Sequence, residues 1–490
     1  MRVVRLSTTL ASTPRHRFMG IRDTPTTRHL HSSTRMGSVE TPREIPAEWL
    51  RRIIEDDSKP PKLYAWTPEN LSPGDRTGSE SSQALQTETN SRRDDDDDDD
   101  DDDAENRRIY ILGVGNIGRL YAMCLSKHAN SPPITLVVHR RSLLERWAAD
   151  PGIELTRHGQ ARRSADFDIE WWTEEAAAPC GGRVAEVAGG RDLGNLVVAT
   201  KASDAVPQVD RVRRYLGRGS TVAFAQNGMC KLWPPAGDAY VRARFPDGAG
   251  PNWIACVTTH GVTSQGPFRS THASPADALV GPVMVSSGAD GGGYLMRLLA
   301  DAPDLEARVV SRKGLWVAQL EKLVVNAVIN PLTAVLRCKN GELFVDGDDA
   351  LPAAIDRLLN EASVTLGALI SDSRSDGILL SESAGKGAMS GDSTAESLSA
   401  SREQLLERFS FPRLRAMVLD VGAKVGANTS SMLQDMNAGK PTEIDDFNGW
   451  LVDTARLLDK GLRLPAHEKL IALVKEKATL TRAELCAKLL

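Results

Sequence analysis

The sequence contains no stretch of roughly 18 consecutive apolar residues, so no transmembrane helix of ordinary length is expected. Its six cysteines (Cys124, Cys180, Cys230, Cys256, Cys338 and Cys486) form no C-x-x-C pair and show no metal-ligand spacing. That pattern suits reduced thiols in an intracellular enzyme and gives no reason to expect a metal. A dominant charge of either sign is also missing. The formal net charge of −5 rests on one block, Asp94 to Asp103, without which the balance would be +5. A general nucleic-acid footprint is therefore not expected. The hydrophobic content, 41%, is slightly low, which implies that part of the chain joins no core.

The first 36 residues hold seven arginines, three histidines, many hydroxyl residues and one acid, Asp23. This composition fits a mitochondrial presequence; the plainer reading is a basic N-terminus in a cytoplasmic protein. Residues 37–106 read as a disordered linker ending in poly-Asp. Within it, "AEWLRRIIEDD" could make a short helix after Pro46, and "KPPKLYAWTPENL" has the aromatics of a docking segment. Strand and helix patterns then alternate over residues 107–311, which predicts an α/β domain with a parallel sheet. From 312 to 490 the pattern is helical, apart from a Ser/Gly-rich stretch at 371–401 expected to be a mobile insertion.

Gly113, Gly115 and Gly118 form G-x-G-x-x-G between the strand "RIYIL" and the helix that follows. Gly113 permits the tight turn, Gly115 lets backbone approach a pyrophosphate, and Gly118 lets helix and strand pack closely. Asn116 and Ile117 then open the helix, whose free N–H groups suit phosphates. The second strand ends "VVHRR" and carries no carboxylate. An acid about 20 residues beyond the glycines is the usual holder of a ribose 2′-hydroxyl in NAD sites. Arg140 suits a 2′-phosphate instead, which favours NADPH; a solvated basic turn is the plain alternative. Lys201 and Gln226-Asn227-Gly228 follow further apolar strands, at the carboxyl ends where open α/β sheets collect ligands.

The stretch "EKLVVNAVINPLTAVL" is an apolar helix interrupted by Lys322, Asn326 and Asn330. Residues four apart share a helix face, so these three form a polar stripe. Burying it is costly unless it faces partners or a cleft. Pro331 removes an N–H and crowds the carbonyl four residues back, so a bend near residue 327 is expected. On that account Lys322 and Asn326 are the firmer site residues, and Asn330 could be structural. Further on, Thr442 and Asp445 read as a capping box beside Glu443.

"KLVVNAVINPLTAVLRCKNGEL", "NTSSMLQDMNAGKPTEIDDFNGWLV", the glycine motif and "QNG" together resemble the ketopantoate reductases, the 2-dehydropantoate 2-reductases of pantothenate synthesis. The resemblance covers about 107–480, with gaps. It implies a Rossmann-type N-terminal domain, an all-α C-terminal domain and NADPH-dependent reduction of the 2-keto group of ketopantoate to (R)-pantoate. It implies that Lys322 is the general acid and that Glu443 is a catalytic acid binding the substrate hydroxyl. Asn326, Asn330, Asn340, Asn428 and Ser431 match substrate-cleft positions, and Arg140, Lys201 and Asn227 match cofactor and active-site positions. The chemistry agrees: an ammonium can protonate the alkoxide that forms when a ketone is reduced.

The chain departs from that family in length. Its N-terminal 106 residues, a segment around 160–190, residues 286–294 and 371–401 are extra. Two alternatives stay open: a reductase of another branched 2-oxo or 3-hydroxy acid, or a non-catalytic mitochondrial binding protein on the same fold. The expected partner is a small 2-oxo acid, with no nucleic acid and no membrane; a homodimer is compatible with the reading.

Overall fold

The computed structural model describes residues 48–71, 105–177, 184–285, 292–345, 349–380, 391–459 and 461–490. The basic leader and the poly-Asp run lie outside these residues. So does 286–291, and with it most of the glycine-rich 286–294 stretch.

Part of the expected linker is folded. It supplies helix α1 (Glu48–Glu55) and strand β1 (Tyr64–Trp66). The aromatics explain why. Trp66 is fully buried, its ring centroid 5.6 Å from that of Trp171, and its indole N–H donates to Glu175 O at 2.8 Å. Leu63 is likewise buried, and its N–H donates to the Tyr215 hydroxyl at 2.8 Å.

The α/β half follows in order: β2 (Ile109–Leu112), α2 (Asn116–Leu125), β3 (Ile134–Val138), α3 (Arg141–Ala149), β4 (Ile153–Arg157), β5 (Gln160–Ser164) and β6 (Asp168–Thr173). Then come β7 (Asn195–Val198), α4 (Ala202–Val212), β8 (Thr221–Phe224), α5 (Gly237–Arg244) and β9 (Asn252–Thr258). The chain continues as β10 (Gly261–Ser264), β11 (Arg269–Ser274) and β12 (Ala278–Met284), before α6 (Gly293–Ala300) and β13 (Ala307–Val309).

Nine strands make one sheet, ordered β1-β6-β3-β2-β7-β8-β9-β12-β13. From β6 to β9 all neighbours are parallel; β1 and β12 pair antiparallel at either side. The central strands β2, β3, β7 and β8 are buried at every residue, as expected of parallel strands covered on both faces. The stretch around 160–190 is thus not a mere addition: β6 within it pairs directly with β3. A second sheet, β10-β11-β4-β5, packs beside α2.

The helical half begins with α7 (Arg312–Leu336), capped by Ser311, whose hydroxyl accepts from Gly314 N. It continues with α8 (Leu351–Ser371), α9 (Asp376–Leu379), α10 (Gly391–Arg408), α11 (Phe411–Lys424) and α12 (Ser431–Asn437). A π-helical turn, Asp445–Gly449, leads into α13 (Trp450–Leu458), followed by α14 (Pro465–Lys475) and α15 (Arg482–Leu489). The expected mobile stretch 371–401 is therefore largely helical where it is described. Its serines hid a packed register: Ser401 donates to Leu379 O at 3.1 Å, and Arg402 donates to Ile370 O at 3.2 Å. Leu405 and Phe409 beyond it are buried in the core.

α7 runs unbroken through Pro331. The carbonyl that this proline leaves without a helical donor belongs to Ala327. It accepts instead from the side-chain amide of Asn448, at 2.9 Å. No helix among the described residues is long and apolar enough to cross a membrane.

Candidate active site

The carboxyl ends of adjacent parallel strands carry the candidate residues in spatial order. Gly113 follows β2, Arg140 follows β3 by two residues, Lys201 follows β7, Asn227 follows β8, and Thr258 ends β9. This is where an open α/β sheet gathers its ligands.

The glycine turn has the shape that a dinucleotide requires. Gly113 sits at φ +100°, and a Cβ there would come within 2.9 Å of Ala199 backbone. A Cβ on Gly118 would meet Gly113 O at 2.1 Å, so helix and turn touch only because it is absent. Gly115 differs: a Cβ there would meet nothing within 4 Å. Its open side and the uncapped first turn of α2, comprising Asn116 and Ile117, leave room and N–H donors for a pyrophosphate. The Asn116 side chain, however, is already used. It donates to Val262 O at 3.2 Å and accepts from the Ser270 hydroxyl at 3.0 Å. Asn116 can therefore serve a cofactor through its backbone, while its amide ties the glycine turn to β10 and β11.

Neighbouring Arg119 does similar work unforeseen from the sequence. It is buried and donates to Val114 O, Gly266 O, Arg269 O and the Ser270 hydroxyl. Burial pulls its guanidinium down to about 10.

The two arginines after β3 have different duties. Arg141 donates to Glu145 at 3.0 Å and lies over the Trp66 ring at 5.8 Å. Arg140 is exposed at the mouth of the site and is the one left to meet a ligand.

Across the cleft, α7 delivers Lys322. Its Nζ donates to Asn227 Oδ1 at 2.9 Å and to Thr258 O. Asn227 in turn donates through Nδ2 toward Glu443 Oε2 at 3.5 Å. Lys201 Nζ lies 2.9 Å from Asp435 Oδ2 and 3.8 Å from Glu443 Oε2. The chain Lys322–Asn227–Glu443–Lys201–Asp435 thus crosses repeatedly between the sheet and the helical half. Desolvation brings the Lys322 ammonium down to about 8, against the opposing pull of Glu443. For Lys201, burial is outweighed by Glu443 and Asp435, and its pKa is raised.

Glu443 is buried just ahead of the π-helical turn, with its backbone O accepting from Asp446 N and Phe447 N. The capping box read from Thr442 and Asp445 does not form; Asp445 pairs with Lys475 at 2.8 Å. Gly228, at φ +81°, allows the QNG turn to approach this segment, since a Cβ would come within 3.1 Å of Asp446 O.

The substrate-side residues fall into two groups. Asn326 is half-buried one turn beyond Lys322, on the same face of α7. Asn330 is buried, and its Nδ2 lies 3.5 Å from the Ser431 hydroxyl, bridging α7 to the start of α12. Ser430, not Ser431, caps α12 by accepting from Leu433 N, which leaves Ser431 exposed. Asn340 and Asn428 meet through the backbone, Asn340 N to Asn428 O at 3.1 Å. The Asn340 side chain is buried with its Oδ1 unpaired, and that of Asn428 is exposed.

Sequence reasoning missed Thr258, Asp435 and Asn448. Asp435 and Asn448 lie inside motifs whose other members were assigned. The role of Thr258 is carried by its carbonyl, which no side-chain pattern reveals.

Two family models match the chain: "Ketopantoate reductase PanE/ApbA" over residues 109–284 and "Ketopantoate reductase PanE/ApbA C terminal" over 315–478. The ketoisovalerate reductase BEA2 of Gibberella fujikuroi is 43% identical over 447 residues, spanning 89% of this chain and 97% of that protein. A ketoisovalerate reductase of Beauveria bassiana is 41% identical over 459 residues, spanning 90% of this chain and 98% of its own. The ternary structure of D-mandelate dehydrogenase with NADH and anilino(oxo)acetate shares the fold. Its TM-score is 0.50 at 15% identity, over 76% of this chain and 98% of that one. The matched models, the two-part fold and the Lys322–Glu443 cleft agree: the chain belongs to the ketopantoate reductase family of oxidoreductases.

Proposed function

We propose that the protein is an NADPH-dependent reductase of a branched 2-oxo acid, with ketoisovalerate as the preferred substrate. The observation that carries the chemistry is the Lys322 ammonium, drawn down to about 8 and bonded to Asn227 within reach of Glu443. The substrate preference is supported by the two ketoisovalerate reductases at 43% and 41% identity. The free Arg140 guanidinium, and the lack of a carboxylate at the end of β3, support a 2′-phosphate on the cofactor.

A bound nicotinamide would supply the hydride. The protein's part is to hold the keto group and deliver a proton. Lys322 points its ammonium at the cleft and neutralises the developing alkoxide. Asn227 fixes that ammonium in place. Asn326 and Ser431 offer amide and hydroxyl groups for the substrate carboxylate.

Ketopantoate is the second reading, favoured by Glu443. This buried carboxylate is engaged only loosely, by Asn227 at 3.5 Å and Lys201 at 3.8 Å, and could accept a substrate hydroxyl. NADPH oxidation by the full chain with each acid separates the readings. A higher kcat/KM for ketoisovalerate supports the first, a higher value for ketopantoate the second, and no oxidation with either defeats both.

A further inference from the structure

The proline in α7 creates a need that the catalytic turn meets. Pro331 has no N–H, so Ala327 O has no donor one turn on. Asn448, on the π-helical turn behind Glu443, donates to that carbonyl at 2.9 Å. Its other amide N–H reaches Nδ1 of His467 on α14 at 2.9 Å. The opposite ring nitrogen, Nε2, donates to Leu358 O on α8 at 3.0 Å. All three side-chain nitrogens are thereby assigned. His467 is neutral with its proton on Nε2. Asn448 must present its amide group, because a flipped amide would set oxygen against oxygen at Ala327. Asn448 and His467 are both wholly buried.

Ala327 directly follows Asn326, and Glu443 lies five residues before Asn448. The bond therefore joins the two segments that carry the opposing halves of the site. We infer that Asn448, held by His467, is a positioning residue that sets Glu443 in register with Lys322 by binding the carbonyl Pro331 vacates. This deepens the functional reading and rests on Lys322 and Glu443 being its working pair.

One detail separates this role from simple filling of the core. The Asn448 Oδ1 is buried with no hydrogen-bond partner. A buried unpaired acceptor is unfavourable. An apolar residue would avoid that cost but leave Ala327 O and His467 Nδ1 as two buried unpaired acceptors. The residue is thus chosen for its two N–H donors, and only such a donor can grip Ala327 O and fix the spacing of the two segments.

The test uses the full chain and two readouts, one of them independent of turnover. NADPH-dependent reduction gives kcat and KM. The titration of Lys322, followed by the NMR signal of its labelled ε-carbon with Lys322→Arg for assignment, reports the distance of Glu443. Asn448→Ala is expected to lower kcat by about tenfold or more, with NADPH affinity within about twofold of wild type. It should also move the Lys322 titration further down, because Glu443 no longer holds it up. His467→Asn, whose oxygen can stand in for Nδ1 as acceptor, should keep more activity than His467→Ala. Pro331→Ala restores a helical N–H to Ala327 O and should shift both readouts in the same direction, by less. It also covers the case in which Asn448→Ala does not fold. Loss of thermal stability alone, with kcat and the Lys322 titration unchanged in Asn448→Ala or Pro331→Ala, overturns the proposal. If wild type reduces no 2-oxo acid, the functional reading fails while the Lys322 titration still tests the register.

Discussion

Lys322 Nζ sits 2.9 Å from Asn227 Oδ1, and this bond ties the long helix of the helical half to the carboxyl end of β8. Removing the ammonium should abolish proton delivery and leave the glycine turn untouched. Lys322→Ala is expected to lose about two to four orders of magnitude in kcat. NADPH binding, measured by fluorescence titration, should stay near the wild-type value. Equal activity in the variant would remove Lys322 from the mechanism.

The same group sets a pH dependence. In the proposed mechanism reduction needs the protonated ammonium, whose pKa desolvation lowers to about 8. kcat/KM for reduction should hold below that pH and fall above it. Oxidation of the hydroxy acid needs the neutral amine and should rise through the same range. Asn227→Ala removes a partner of the ammonium and should displace the limb; an unmoved limb would assign it to another group.

Arg140 and Arg141 are adjacent in sequence but differ in what holds them. Arg140→Ala should raise KM for NADPH by about tenfold or more, with little change for NADH. Arg141→Ala should do much less, because Arg141 is spent on Glu145 and Trp66. Comparable losses for the two variants, or an unchanged cofactor ratio, would refute the assignment of the 2′-phosphate to Arg140.

These residues also show how far a sequence carries. The glycine turn is readable because Gly113 and Gly118 answer a steric demand set by local geometry. The stripe on α7 is readable because helical spacing puts Lys322, Asn326 and Asn330 on one face. Which of Arg140 and Arg141 is free is not, because the deciding partner, Trp66, lies about 75 residues earlier in a stretch whose composition suggests a linker. The folded part of 371–401 escapes a sequence reading for a related reason. Serine and glycine suggest a loop, but tertiary packing through Leu405 and Phe409 overrides weak propensity. Nor can one chain pattern show that Asn448 answers Pro331, since that pairing exists only across 117 residues of folded chain.

Lys201 and Asp435 join the sheet to α12 across the cleft at 2.9 Å. Asp435→Asn should weaken that link and free Lys201 to turn toward Glu443. The expected result is a raised KM for the 2-oxo acid by a few-fold, with kcat less affected, since the pair is partly solvated. Steady-state kinetics at low and high salt checks this. A wild-type KM that ignores ionic strength would count against an electrostatic role.

His467 gives a stability prediction with a definite sign. It is fully buried, and desolvation lowers its pKa from 6.5 to about 4. The unfolded chain takes up a proton near pH 6.5, whereas the folded protein resists until about pH 4. Between those values the unfolded state binds more protons, so stability falls as pH falls. The full contribution is present above the unfolded pKa and is lost on descending to the folded one. Its size is on the order of 3 kcal/mol, since each pH unit between the two values is worth about 1.4 kcal/mol. Urea unfolding of wild type and His467→Asn across this range isolates the effect, because asparagine does not titrate. The wild-type curve should be steeper on the acid side, and the two should run parallel above neutrality. Parallel curves throughout would mean that His467 takes up its proton in the fold as readily as in the unfolded chain, and so is charged on the acid side. In that state Nδ1 would carry a proton and could not accept from Asn448.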